Sequence, residues 1–187
     1  MGHRLPVLTA LFVALGTIGA SGCASAAAPA PLAPWTPVPA VELTDLAGGK
    51  TDVTHLAEGR VALVSLWATW CEACRKEFDA LNRLNASTAA GRDALVIAID
   101  VGEDRDTVAS FARERGLRYA QLVDEDFVFA DALGQRRVPA TLVVDRHGHI
   151  VFRGDALDTA SLEAMRRAIS EAQASSRSEY PSGATAR

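Results

Sequence analysis

The segment Val61-Ala62-Leu63-Val64-Ser65-Leu66-Trp67-Ala68-Thr69-Trp70-Cys71-Glu72-Ala73-Cys74-Arg75-Lys76-Glu77 passes from an apolar run, through a short turn, into a charged stretch. Residues 61–67 are almost all apolar and follow Gly59, the pattern of a strand buried on both faces. Beyond Arg75, Phe78, Leu81 and Leu84 recur at helical spacing with charge between them. Cys71 therefore falls at or just before the first turn of a helix. Free backbone N–H groups and the positive end of the helix dipole favour an anion there. The thiolate is the nucleophilic form of cysteine, and helix N-termini and Cys-x-x-Cys settings lower its pKa. Cys74, at i+3, is placed to attack a mixed disulfide formed on Cys71. The spacing thus reads as thiol–disulfide exchange, with Cys71 attacking and Cys74 resolving.

Two plainer readings of the pair are weak. A structural zinc site needs two more ligands. The remaining candidates are Cys23 and four scattered histidines, none spaced as a partner pair, so no metal is assigned. A purely structural disulfide between i and i+3 closes so short a loop that it constrains little of the unfolded chain. Glu72, between the cysteines, reads as solvent-exposed, with a charge that works modestly against the thiolate.

Working outward, residues 5–20 are almost entirely apolar but too short for a comfortable membrane span, and a weakly positive start precedes them. The run ends in Ala20-Ser21-Gly22-Cys23, which resembles a bacterial lipoprotein signal with Cys23 as the lipidated residue. Ordinary cleavage after Ala24-Ser25-Ala26 is the competing reading, and either one exports the chain. Export places the thiols where disulfides persist. Residues 23–37 are rich in proline and alanine and read as an extended tether. Residues 38–173 hold one domain, and residues 174–187, rich in Ser, Ala and Gly, read as a disordered tail. The 187 residues carry a formal charge of −4 with no basic block, which argues against nucleic acid as a partner.

Within the domain, Val41-Glu42-Leu43 and Thr51-Asp52-Val53 flank a hairpin signal at residues 45–50. Residues 94–100 form a second buried strand. A helix opens at Asp104-Arg105-Asp106 and ends at Gly116. Leu122-Val123 is a brief strand and residues 126–133 a short helix. Residues 141–145 and 149–153 form a hairpin around Arg146-His147-Gly148, whose histidines read as a polar turn rather than a metal site. Residues 158–172 make the last helix, with Leu162, Met165 and Ile169 on one face. The expected class is α/β, a central mixed β-sheet flanked by helices with an extra N-terminal β-hairpin.

Residues 38–173 resemble the thioredoxin superfamily, and within it the exported TlpA/ResA-like thiol–disulfide oxidoreductases related to cytochrome c maturation. The resemblance rests on residues 67–78, on Arg137-Val138-Pro139-Ala140-Thr141, and on residues 144–150. It implies a thioredoxin-like fold, a cis bond before Pro139, and a substrate-binding set of Trp70, Val138 and Pro139. The Val138 backbone would pair with an extended substrate segment. It also implies a monomer without cofactor that reduces protein disulfides, such as those of an apocytochrome c, and takes electrons from a membrane-embedded thiol donor.

Many thioredoxins carry a buried acid where Ser65 stands, whereas the exported branch has a glutamate where Glu77 stands. On an ideal helix Glu77 shares a face with Cys74 and Phe78. There it would shuttle the Cys74 proton, the alternative being a solvated helix residue. Ala73 and Asp79 replace frequent prolines of the family, and Arg137 and Ala140 flank Pro139 where Gly and Thr or Ser are common. A thiol peroxidase of the same fold and a copper chaperone using Cys71 and Cys74 are the alternative functions.

Overall fold

The apolar run at residues 61–67 is an interior strand of the sheet, β4 (Val61–Trp67), and every residue in it is buried. A computed structural model describes residues 36–89, 94–135 and 137–179. Cys23 and the proposed leader and tether up to residue 35 lie outside the described residues. β4 pairs in parallel with β5 (Ala94–Val101) and antiparallel with β7 (Ala140–Val144). β5 continues in parallel to β6 (Ala120–Asp124), and β7 to an antiparallel β8 (His149–Gly154). The short strands β1 (Thr36–Pro37), β2 (Leu43–Asp45) and β3 (Lys50–Thr51) extend the two sides. Among the described residues the order is β1-β8-β7-β4-β5-β6-β2-β3, a mixed sheet as the sequence led us to expect. The expected N-terminal hairpin is β2–β3, with Leu43 opposite Thr51, and β2 also pairs with β6.

Side chains of β4 alternate between two cores, as the twofold period of a strand requires. Ala62, Val64 and Leu66 join one cluster with Val53, Ile97, Ile99, Phe129 and Leu142. Val61, Leu63 and Trp67 join the other with Cys71, Cys74, Phe78, Leu81 and Met165. The sheet is covered on both faces, which is why its central strands read as continuous apolar runs rather than alternating ones. The second face carries α2 (Glu72–Arg75), α3 (Phe78–Ala89), α4 (Arg105–Arg115) and α6 (Thr159–Glu179). The first carries α1 (Val53–Ala57) and α5 (Val128–Ala132).

The structure corrects four expectations. Val53 opens helix α1 instead of ending a strand, because the Asp52 side chain accepts from the N–H groups of Thr54 and His55 and caps it. The helix after the cysteines is split at Lys76–Glu77, where Lys76 N–H bonds Ala73 O and Glu77 N–H bonds Cys74 O at i→i+3 spacing. Thr36 and Pro37, assigned to the tether, pair with Ile150 and His149 as β1. The last helix continues to Glu179, past the boundary set at residue 174. Its Ala, Ser and Gln residues tolerate a helix, and neither Gly nor Pro occurs before Pro181. Among the described residues no helix is long and apolar enough to cross a membrane.

Candidate active site

β4 ends at Trp67, and the chain turns through Ala68, Thr69 and Trp70 into α2. Cys71 is the N-cap of α2 and is joined to Cys74 by a disulfide. Its Sγ accepts from the Cys74 N–H at 3.1 Å. That N–H is one of the orphan donors of a helix start, so it favours negative charge on Cys71 sulfur once the bond is opened. α2 has only four residues, so the local amide supplies this stabilisation rather than a long macrodipole. Cys71 is 5 % exposed and Cys74 1 %, so both are buried and Cys71 is the more exposed of the pair. Beside it Trp70 is 65 % exposed, an unusual position for a large aromatic side chain.

The loop before Cys71 is held from three sides. Cys71 N–H bonds Ala68 O at 3.1 Å. Arg75 reaches back from α2 and gives Nε and Nη2 bonds to Thr69 O at 3.1 and 2.6 Å, while its guanidinium lies 5.7 Å from the Phe111 ring centre. Glu103, just beyond β5, accepts from Thr69 N–H at 2.6 Å and from Thr69 Oγ1 at 2.5 Å. Neither Arg75 nor Glu103 was singled out from sequence. The only signal for Arg75 was its place one turn after Cys71, and Glu103 carries none without the sheet register.

Val138–Pro139 is cis, as the resemblance implied. Register explains why it lies at this end of the sheet. Ala140 of β7 pairs with Leu66 of β4, so Pro139 stands at the level where β4 gives way to the cysteine loop. Val138 is half-buried and packs against the cluster that holds both cysteines. Thus the structure gathers Trp70, Cys71, Cys74, Val138 and Pro139 at one end of β4. Phe127 and Val128 are exposed at the neighbouring sheet end. Phe127 adopts a positive φ of 59°, and its ring covers Gly102 so closely that a Cβ there would collide with it. Gly102 itself has a φ of 84°, so no other residue suits both the turn and the ring.

Glu77 is half-buried rather than solvated. Its Oε1 accepts the Leu157 N–H at 3.0 Å, and Oε2 has no partner among the described residues. Burial holds its carboxyl above the usual value, the Leu157 bond opposes this, and Asp158 adds to it. Nearby, burial also pushes up the Tyr119 phenol, which lies against Gln121 and feels the Glu77 charge. Ser65 and Thr141 are paired across β4 and β7, their hydroxyls both buried without a partner among the described residues, and Ala98 and Gln121 continue that row on β5 and β6. Three polar side chains, Thr141, Ser65 and Gln121, therefore line up on the side that carries the cysteines, with Ala98 between the last two. Their alignment depends on the register of separate strands, which the sequence alone does not display.

A family model described as AhpC/TSA family matches residues 35–153. The thiol:disulfide interchange protein DsbE of Escherichia coli K12 is 34 % identical over 99 residues, covering 52 % of this chain and 51 % of that protein. The thiol-disulfide oxidoreductase ResA of Bacillus subtilis 168 is 28 % identical over 110 residues, covering 58 % and 60 %. The chain thus spans little more than half the length of these curated relatives. A crystal structure of a thiol:disulfide interchange protein of the thioredoxin family from Chlorobium tepidum TLS superposes with a TM-score of 0.61. It is 21 % identical and covers 74 % of this chain and 99 % of that one, a likeness of fold. With the matched residues running from the start of β1 to the last strand, and the cysteine turn and cis-proline inside them, the chain belongs to the AhpC/TSA family and has a thioredoxin-like fold.

Proposed function

We propose that this chain is an exported thiol–disulfide oxidoreductase that reduces protein disulfides, an apocytochrome c among its targets. The observation that carries the reading is the Cys71–Cys74 disulfide at the N-cap of α2, beside exposed Trp70. In the dithiol form, Cys71 thiolate attacks one sulfur of a substrate disulfide. A Cys71–substrate S–S bond forms, and the other substrate sulfur leaves as a thiolate and takes a proton. Cys74 then gives up its proton and attacks Cys71 Sγ, so the substrate's second sulfur leaves. Two electrons pass to the substrate and the Cys71–Cys74 bond closes. A membrane-embedded dithiol donor restores the reduced pair, and lipid on Cys23 would keep the chain at that membrane.

Glu77 is the group we assign to the Cys74 proton, since a half-buried carboxyl with a raised pKa exchanges protons near neutrality more readily than an exposed one. The sign follows from that direction. A raised native pKa favours the neutral form, so Glu77 supports the fold at low pH and this support is lost as pH rises through its native value. Glu77→Gln keeps the acceptor for Leu157 N–H but has no proton to exchange. In single-turnover kinetics its release step is expected to slow roughly 10²-fold, while mixed-disulfide formation is unchanged. Equal slowing of both steps would return Glu77 to a purely structural role.

The reading itself is tested by the equilibrium potential of the Cys71–Cys74 pair in a thiol–disulfide buffer. A value near that of thioredoxin, about −270 mV, supports a reductase; one near −120 mV assigns disulfide formation instead. If no reversible disulfide forms, rapid consumption of hydrogen peroxide would assign a peroxidase and stoichiometric Cu(I) binding a copper chaperone.

A further inference from the structure

Asp100 is the one acid wholly removed from solvent among the described residues, with none of its surface exposed. It stands near the end of β5, in register with Trp67, the last residue of β4. Strand alternation puts it on the same face as Ala98 and Val96, the face that carries the cysteines. Neither of its oxygens makes a hydrogen bond of full geometry among the described residues, and the Glu103 backbone N–H, the donor that bears on them, offsets the burial only in part. The polar side chain within hydrogen-bonding reach is another acid, Glu103. A bond between two carboxyl groups requires that one of them keep its proton, and burial without a counter-charge selects Asp100 as that one. The charged groups acting on it are Glu103 and Asp104, both acidic. Glu103 in turn accepts both the N–H and the Oγ1–H of Thr69, two residues before Cys71.

We propose that Asp100 is a positioning residue for the redox site: its retained proton bridges to Glu103, and the bridged pair holds Thr69 and thereby the loop that presents Cys71. Loss of that proton puts two negative charges side by side. Glu103 must then turn away, and Thr69 loses its acceptors. Burial, then the Glu103 and Asp104 charges, push the Asp100 pKa up to about 8, so the loop is held through neutral pH and released above it. The inference rests on Cys71 as the attacking sulfur, and the experiment separates the two.

The test follows two readouts on the full chain in its reduced state. The first is the rate of iodoacetamide alkylation of Cys71 against pH, read on the Cys71 peptide by mass spectrometry. The wild-type rate is expected to rise with thiolate formation and then to pass a second inflection in the Asp100 range. Above that inflection it should fall about fivefold below the rate of Asp100→Asn, the worth of one hydrogen bond on the loop. Asn is isosteric, neutral at every pH and still donates to Glu103, so its profile should show one step. Thr69→Val keeps the N–H bond to Glu103 but loses the Oγ1–H one, so its second inflection should be smaller than that of the wild type. The second readout is the infrared C=O stretch of a neutral carboxylic acid at pH 7, taken as the wild-type minus Asp100→Asn difference spectrum so that any Glu77 contribution cancels, and expected as a positive band. It needs no redox activity, so it tests the retained proton even if Cys71 proves unreactive. Superposed alkylation profiles for wild type and Asp100→Asn, or a difference spectrum without the acid band at pH 7, would overturn the proposal.

Discussion

Replacing Cys74 by serine is expected to stop multiple turnover and to leave Cys71 covalently joined to its substrate protein. The reason lies in the division of labour between the sulfurs. Cys71 sits at the N-cap with an amide on its Sγ and is the more exposed of the pair. It can therefore still attack when Cys74 is absent. Its mixed disulfide then has no neighbouring thiol to open it, because the described domain contains no third cysteine. Serine keeps the size of the side chain and is not ionised near neutral pH, so the fold of the four-residue helix should be retained. Turnover should drop by roughly 10³-fold or more, the scale expected when a group in the reacting set is deleted. Non-reducing electrophoresis with mass spectrometry should find one adduct, released by dithiothreitol. Cys71→Ser should give neither turnover nor adduct. Adducts through Cys74 in that second variant would reverse the assigned roles, and adducts in neither would remove exchange as the chemistry.

The parts of this site that follow in unbroken sequence were legible from the residues. The apolar run at 61–67, the cysteine spacing and the charged helix form one local story, and each local preference agrees with the fold around it. The hairpin around residue 148 was also plain, because Asp145 caps its own turn by accepting from the His147 and His149 N–H groups. The cis bond before Pro139 came from resemblance, since spacing alone leaves a proline there as an edge residue.

What remained hidden depends on register between distant strands. Asp100 and Glu103 look like the acidic end of a strand followed by a helix cap, and only parallel pairing of β4 with β5 brings them behind Thr69. Ser65, Thr141 and Gln121 each read as ordinary polar substitutions in apolar strands until the sheet lines them up. Helix α1 was missed for a different reason. Thr51-Asp52-Val53 is rich in β-branched residues, and five helical residues give too short a period to outweigh that signal. The Asp52 cap and the Gly59 stop were present as evidence for it. The end of the last helix is hidden for a compositional reason: its Ser and Ala residues resemble a low-complexity tail, yet both are compatible with a helix that already has a packed face.

The largest stability effect is expected at Trp67, where strand, helix and loop meet. Trp67 is 1 % exposed and the largest wholly buried side chain among the described residues. Phe78 meets it edge-on at 5.2 Å between ring centres, and Phe111 lies tilted at 5.6 Å. The outer side of Phe111 is covered by Arg75 and Arg115, at 5.7 and 5.3 Å from its centre. Trp67→Ala should cost about 3–5 kcal/mol in urea unfolding, from lost burial and a cavity that these rings cannot close. That is a large share of the roughly 5–15 kcal/mol typical of a domain. Trp67→Phe should cost far less, since it keeps an aromatic partner for Phe78. It also removes an indole N–H that is buried without an acceptor among the described residues. The comparison separates stability from site geometry, because Trp67 is also the residue from which the Cys71 loop departs. If Trp67→Phe unfolds near the wild-type midpoint but alkylates Cys71 at an altered rate, the ring positions the loop as well as filling the core. A cost below about 1.5 kcal/mol for Trp67→Ala would mean that the surrounding rings collapse into the space, the outcome for sites that relax well.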